Sequence, residues 1–265
     1  MTVDLGTSTA LVTGATGGIG RAIVRELHAR GARVVASGRR ADVLEELARE
    51  HEGVESIVSD LSDPDQVRAL VAGRTIDVLV ANAALPASGR LETFTDEEID
   101  RALNVNLRAP VHLAHVLLPG MVERGFGHFV FISSLSGKMA SSGASVYNAT
   151  KFGLRGFSYA LHDELRGTGV GATTVFPGFI REAGMFADSR VKLRRGVGTR
   201  SPDDVAKAVI EGIERNRAEI DVAPFSLSSG ARLFGVAPGV ITAVNRRLGS
   251  TELADEIAEG QRDKR

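Results

Sequence analysis

Seven short apolar runs punctuate the chain, each followed by a stretch of different hydrophobic spacing. They read TALVTG from Thr9, RVVASG from Arg33, VESIVSD from Val54, IDVLVANAA from Ile76, HFVFISS from His128, GATTVFPG from Gly171 and AEIDVAP from Ala218. Near-continuous runs of Val, Ile and Ala suit strands buried on both faces, which is the condition of a parallel sheet. Between them the apolar positions recur at helical spacing, predicting helices over 19–30, 40–51, 64–72, 95–124, 146–167 and 202–217. Start signals support three of these: Asp63 or Ser62 ahead of Pro64, the Thr95 to Glu98 capping box, and Ser201 ahead of Pro202. Strand and helix in regular turn predict an α/β fold, a doubly wound Rossmann-type parallel sheet of about seven strands covered on both faces.

Two stretches break the alternation. Residues 179–200 carry Phe179, Met185 and Phe186, then turn basic and glycine-bearing, as expected of a loop or lid beside a substrate. Residues 224–265 are apolar around LFGVAPGVITAVNRRLG and then charged, which reads as a helical C-terminal extension. Pro238 breaks that segment, leaving it too short to span a bilayer. With no internal repeat or linker, the expectation is one domain over 1–265, its core at about 7–223.

Composition narrows the chemistry. The formal net charge of −1 gives no long-range reason to expect nucleic acid or an anionic membrane as partner. The chain has no cysteine, which excludes disulfides and thiolate catalysis. The N-terminus lacks a basic region followed by a long apolar run, so the cytoplasm is the expected location.

ALVTGATGGIGRAIVREL, from Ala10, gives strand, turn and helix in sequence. Gly14, Gly18 and Gly20 fall where a backbone turns tightly, approaches a ligand and packs a helix on a sheet. A helix opening there aims unpaired N–H groups and a positive dipole end at a pyrophosphate, so a dinucleotide is favoured over a merely structural turn. After the second strand, an NAD-selecting fold places an acid for the ribose 2′-hydroxyl. Here stand Gly38, Arg39 and Arg40, and a guanidinium suits a 2′-phosphate, favouring NADP(H) over NAD(H).

Tyr147 and Lys151 lie four residues apart on a predicted helix and so share one face. By itself the pair is compatible with a packed tyrosine beside a solvated lysine. As chemistry, a nearby ammonium would favour the phenolate, and at ~4 Å with an effective dielectric of ~20 the attraction is about 4 kcal/mol. The pair is therefore expected to lower the phenol pKa.

The spacing TGATGGIG from Thr13, followed in order by SDL at Ser59, ANAA at Ala81, NVN at Asn104, ISS at Ile132, YNATK at Tyr147 and PG at Pro177, resembles the short-chain dehydrogenase/reductase family. The resemblance covers about residues 7–223. It implies that Tyr147 is the catalytic acid/base, Lys151 its partner, Ser134 the carbonyl-orienting hydroxyl and Asn106 the residue holding a water for proton relay. Ser134 is preferred to Ser133 because the family's serine precedes its tyrosine by thirteen residues. It also implies cofactor contacts at Gly14, Thr16, Gly17, Gly18, Ile19, Gly20, Arg39, Arg40, Asp60, Leu61, Asn82, Ala83, Tyr147, Lys151, Pro177, Gly178 and Ile180. Asp60 would meet the adenine, although it could also cap the next helix, and Asn82 could simply end a strand.

The expected activity is NADP(H)-dependent interconversion of a secondary alcohol and a ketone, without metal, on a lipophilic small molecule. The expected assembly is a homodimer or homotetramer. A non-catalytic NADP(H)-sensing or protein-binding module, or an epimerase or dehydratase, are the alternatives on this fold. Two features depart from the family. Glu182 stands where many members have threonine, leaving its pairing with Arg181 or solvent open, and the tail lacks the usual ending. His112 and His115 have no matched carboxylate in the sequence and are read as packing or interface residues, and the basic run 190–195 as a solvated loop.

Overall fold

A computed structural model describes residues 3–189, 191, 198–247 and 250–261. Seven parallel strands form one sheet in the order β3-β2-β1-β4-β5-β6-β7. They are β1 (Thr9–Thr13), β2 (Arg33–Gly38), β3 (Glu55–Val58), β4 (Val78–Ala81), β5 (Gly127–Ile132), β6 (Val170–Pro177) and β7 (Glu219–Val222). β4, β5 and β6 are buried along their whole length, edge strand β3 is largely open, and edge strand β7 is half-buried. That difference explains the continuous apolar runs inside and the polar residues of β3.

Helices cover both faces. α1 (Gly18–Ala29), α2 (Ala41–Glu50) and α8 (Pro202–Arg215) bury Ile23, Leu27, Leu44, Leu47, Val209 and Ile213 against one face. α3 (Pro64–Val71), α5 (Ala109–Arg124) and α6 (Ser145–Glu164) bury Leu70, Leu113, Met121, Leu154 and Leu161 against the other. The start signals act as expected. Asp63 caps α3, and full capping boxes at Thr95–Glu98 and Ser201–Asp204 open α4 (Asp96–Leu103) and α8.

The helix expected over 95–124 is continuous but contains a π-helical turn, Asn104–Arg108, between α4 and α5. Past the short α7 (Met185–Ser189) and α8, the tail forms α9 (Phe225–Phe234), α10 (Pro238–Arg247) and α11 (Ser250–Gln261). α11 packs on α7, and Gln261 Nε2 donates to the Met185 carbonyl at 2.9 Å. Strand order reverses between β1 and β4, so the crevice for a ligand opens at the C-terminal ends of these strands. Among the described residues no helix is long and apolar enough to cross a membrane.

Candidate active site

The glycine-rich turn joins β1 to α1 at that crevice. Gly14 has φ 65°, and a Cβ there would lie 2.7 Å from the Ala83 Cα; one on Gly20 would lie 2.2 Å from the Gly14 carbonyl oxygen. Both collisions are with backbone, so neither can be relieved by a rotamer. Gly17 occupies the N-cap of α1 and no side chain caps the helix, which leaves its first N–H groups for a ligand.

Neighbouring elements hold this turn. Asn82 Nδ2 donates to the carbonyls of Thr13 and Gly14 at 3.0 and 3.1 Å, and the N–H groups of Asn82 and Ala83 donate to the Thr13 hydroxyl, each at 3.1 Å. Arg40 hydrogen-bonds the Thr16 carbonyl, and Gly38 lets the Thr16 side chain come close. Exposed Arg39 and Arg40 thus flank the turn beyond β2.

Asp60 follows β3 and does not cap α3, a role taken by Asp63. Its carboxylate accepts from the Ser62 N–H at 2.9 Å and hydroxyl at 2.8 Å. Burial pushes its pKa up, but the Ser62 hydrogen bonds, with Arg39 and Arg101 nearby, bring it below the ordinary value. Leu61 is buried beside it. This cradle, with its backbone contacts and uncapped helix end, fits a dinucleotide.

The second cluster comes from β5, α6 and the π turn. Ser134 caps the short turn Leu135–Gly137 after β5, its Oγ accepting from the Ser136 N–H at 3.1 Å, and it hydrogen-bonds the Tyr147 phenol. Ser133 points the other way and donates to the Lys151 carbonyl at 3.1 Å. The chain approaches α6 closely here, because a Cβ on Gly137 would lie 2.7 Å from that carbonyl. The structure therefore separates the two serines: Ser133 ties strand to helix, and Ser134 meets the phenol.

Lys151 is 2% exposed; its Nζ donates to the Ile132 carbonyl at 3.0 Å and lies 5.6 Å from the Tyr147 ring centroid. Burial lowers its pKa to about 8. Tyr147 goes the opposite way from the sequence expectation. Burial pushes its phenol up to about 12, and the Ser134 hydrogen bond offsets only part of that. The reason is geometric: the ammonium is turned to the Ile132 carbonyl, and loss of water around the phenol dominates.

Asn106, fully buried in the π turn, accepts from the Leu85 N–H at 2.7 Å and donates to the Leu85 carbonyl at 2.9 Å. It thus fixes the loop after β4 against the helix, and π turns of this kind recur at functional sites.

Gly178, after Pro177, closes on Ala223, and buried Ile180 bridges to Arg200. The chain then folds back over the glycine-rich turn, with Ala183 against Gly18 and Gly184 against Ile19. Glu182 sits at φ 72° and accepts from Arg181 Nε at 2.8 Å. A β-branched threonine is disfavoured at such a φ. Phe179 and Phe186 meet at 4.9 Å between ring centroids. The basic run 190–195, apart from Val191, lies outside the described residues. His112 and His115 rings are 6.4 Å apart, and among the described residues no three His, Cys, Asp or Glu side chains form a metal-sized group.

Sequence reading missed a charged cluster beneath the Ser134 turn. Lys138 Nζ lies 2.6 Å from Asp221 and 2.8 Å from Glu219 on β7, and 3.9 Å from the Phe176 ring centroid. Arg155 of α6 reaches Glu219 at 2.6 Å, and Arg232 of α9 reaches Asp221 at 3.1 Å. The only signal for it was a pair of carboxylates alternating along an edge-strand run.

The sequence pattern of the family described as short chain dehydrogenase matches residues 8–193. A ketoacyl reductase, HetN of Nostoc sp., is 34% identical over 249 residues, covering 90% of this chain and 87% of its own. Among solved structures, the closed form of a serine dehydrogenase complexed with NADP+ superposes with a TM-score of 0.75 at 30% identity, covering 82% of this chain and 95% of its own. A short-chain dehydrogenase from Sphingobium yanoikuyae in complex with NADPH gives 0.76 at 27% identity, covering 88% and 95%. The chain belongs to the short-chain dehydrogenase/reductase family and is an oxidoreductase of that family.

Proposed function

We propose that the protein reduces a ketone to a secondary alcohol with NADPH, Tyr147 acting as the general acid. The observation that carries this reading is the meeting of the Ser134 hydroxyl with the Tyr147 phenol, one helical turn from buried Lys151. Gly14, Thr16, Gly17, Gly18, Ile19 and Gly20 would hold the pyrophosphate side of the cofactor, with Arg39 and Arg40 at a 2′-phosphate. Asp60, Leu61, Asn82 and Ala83 would line the adenosine, and Lys151, Pro177, Gly178 and Ile180 the nicotinamide half. When bound, the cofactor supplies the hydride.

The protein's task is then to place the carbonyl and manage one proton. A phenol titrating near 12 keeps its proton at neutral pH, which is the form an acid needs. Ser134 donates a hydrogen bond to the developing alkoxide while Tyr147 delivers its proton. Lys151 stabilises the phenolate left behind, and the place of Asn106 in the family pattern makes it the residue that holds water for the returning proton.

Glu182, engaged with Arg181, takes no part in holding the carboxamide. Phe179, Met185 and Phe186, with the ketoacyl reductase among the relatives, support a lipophilic carbonyl compound such as a 3-ketoacyl thioester. The whole chain works as one domain, in the cytoplasm and as a homo-oligomer.

The test is loss of NADPH absorbance over a panel of ketones and a 3-ketoacyl thioester, with NADH in parallel and with Arg39→Ala. The expected result is turnover that prefers NADPH and loses that preference by about tenfold in the variant. NADPH binding without turnover on any panel member, matched by Ser134→Ala, would favour a sensing module.

A further inference from the structure

Two hydrogen bonds hold the chain just before Ser134: the Ser133 hydroxyl donates to the Lys151 carbonyl, and the Lys151 ammonium donates to the Ile132 carbonyl. Just after Ser134 the chain makes one tight turn, the Gly137 N–H donating to the Ser134 carbonyl at 2.8 Å and the Lys138 N–H to the Leu135 carbonyl at 2.9 Å. The far end of that turn is anchored by the Lys138 ammonium, which reaches across to β7.

Glu219 and Asp221 alternate along β7, in register with Thr174 and Phe176 of β6, so their carboxylates share one face of the sheet. Asp221 takes Lys138 at 2.6 Å and Arg232 at 3.1 Å. Glu219 takes Lys138 at 2.8 Å through one oxygen and Arg155 at 2.6 Å through the other. Arg155 lies one helical turn beyond Lys151 on α6 and two beyond Tyr147. Lys138 and Arg155 also sit over the buried Phe176 ring, 3.9 and 5.7 Å from its centroid. Burial pushes the Glu219 carboxyl up, but hydrogen bonds from Arg155 and Lys138 more than offset this and hold it below the ordinary value. It is therefore ionised at neutral pH. Asp221 already supplies a counter-charge for Lys138, so what Glu219 adds is the link to α6. One carboxylate thus joins the turn behind the Ser134 hydroxyl to the helix that carries the phenol.

We propose that Glu219 is a positioning residue for the reaction: by clamping Lys138 to Arg155 it sets the Ser134 hydroxyl against the Tyr147 phenol. The effect on rate rests on Ser134 and Tyr147 acting as in the proposed function, whereas the geometric claim does not. A misplacement of about 1 Å costs on the order of a hundredfold in rate, and because Lys138 keeps Asp221 when Glu219 is lost, the expected loss is about tenfold.

The test uses Glu219→Ala and Glu219→Gln, each alone and combined with Ser134→Ala, with circular dichroism checking the fold of each. In a Tyr159→Phe background Tyr147 is the sole tyrosine and the chain has no tryptophan, so the near-ultraviolet absorption edge reports its phenol. Ser134→Ala should shift that edge by removing the hydrogen bond. Glu219→Ala should shift it in the same direction, and Glu219→Gln, with one acceptor oxygen in place of two, by less. With the ketone that wild type reduces fastest, Glu219→Ala should lower kcat about tenfold while KM changes by less than about twofold. Added to Ser134→Ala it should lower kcat by less than about twofold, because the group it positions is gone. An unmoved edge in Glu219→Ala, or an equal loss of rate with and without Ser134, would overturn the proposal, since a purely structural ion pair acts the same in both backgrounds. Ser134→Ala slow but Glu219→Ala at the wild-type rate sinks the positioning role alone. Ser134→Ala at the wild-type rate sinks the catalytic reading, and the positioning role falls with it.

Discussion

Replacing Lys138 by methionine removes the cation that two β7 carboxylates share, while the aliphatic part of the side chain can still cover Phe176. The Lys138 side chain is 5% exposed and that of Asp221 6%, so the variant strands a carboxylate away from water. Breaking a buried pair from one side costs about 3–5 kcal/mol. Asp221 retains Arg232, but that side chain is 72% exposed and such a pair is worth no more than about 1 kcal/mol. Glu219 retains Arg155 at 2.6 Å, so its loss is small. The net expectation is the lower end, about 3 kcal/mol. For a chain of this size that lowers Tm by about 6–12 °C. Adding Asp221→Asn removes the stranded charge, so the double variant should be no less stable than Lys138→Met alone. Urea and thermal unfolding followed by circular dichroism measure both. A loss under about 1 kcal/mol in the single variant, or a double variant whose cost equals the sum of the two singles, would refute the reasoning.

Further outcomes follow from the same geometry. The rate of reduction should be level to about pH 8 and fall above it as Lys151 loses its proton, while Tyr147, pushed up to about 12, stays protonated; a reduction rate that climbs with pH would contradict this assignment. His128 is buried against Thr173 and its pKa falls to about 3, so between pH 6.5 and 3 the unfolded chain binds the extra proton and stability is lost as pH drops. This costs about 1.4 kcal/mol per pH unit, and His128→Gln should flatten the acid limb in urea titrations at stepped pH. Gly20→Ala, whose Cβ would meet the Gly14 carbonyl oxygen at 2.2 Å, should weaken NADPH at least about tenfold in a fluorescence titration.

Much of this architecture is written in the apolar spacing. Each of the seven runs contains a strand, because interior parallel strands need continuous apolar residues and little else here supplies them. The glycines were legible for a similar reason: only a residue without Cβ fits against Ala83 or the Gly14 carbonyl. The π turn was not, since its residues keep helical spacing and differ only in backbone bonding. Motif spacing brought Ser134, Tyr147 and Lys151 to one place, but the environment of the phenol was hidden. An i, i+4 pair fixes a shared face and says nothing of whether the ammonium turns to the phenol or, as here, to the Ile132 carbonyl. The Lys138 cluster joins residues 83 positions apart, a pairing that no local pattern records.

Tyr147→Phe is the most direct test of the central claim, because it removes one oxygen and its proton from the site. Single-turnover reduction of a panel substrate with saturating NADPH should slow by about a hundredfold or more in the variant, with NADPH affinity changed by less than about threefold. A variant that reduces the substrate at the wild-type rate would show that the proton comes from elsewhere and would contradict the account.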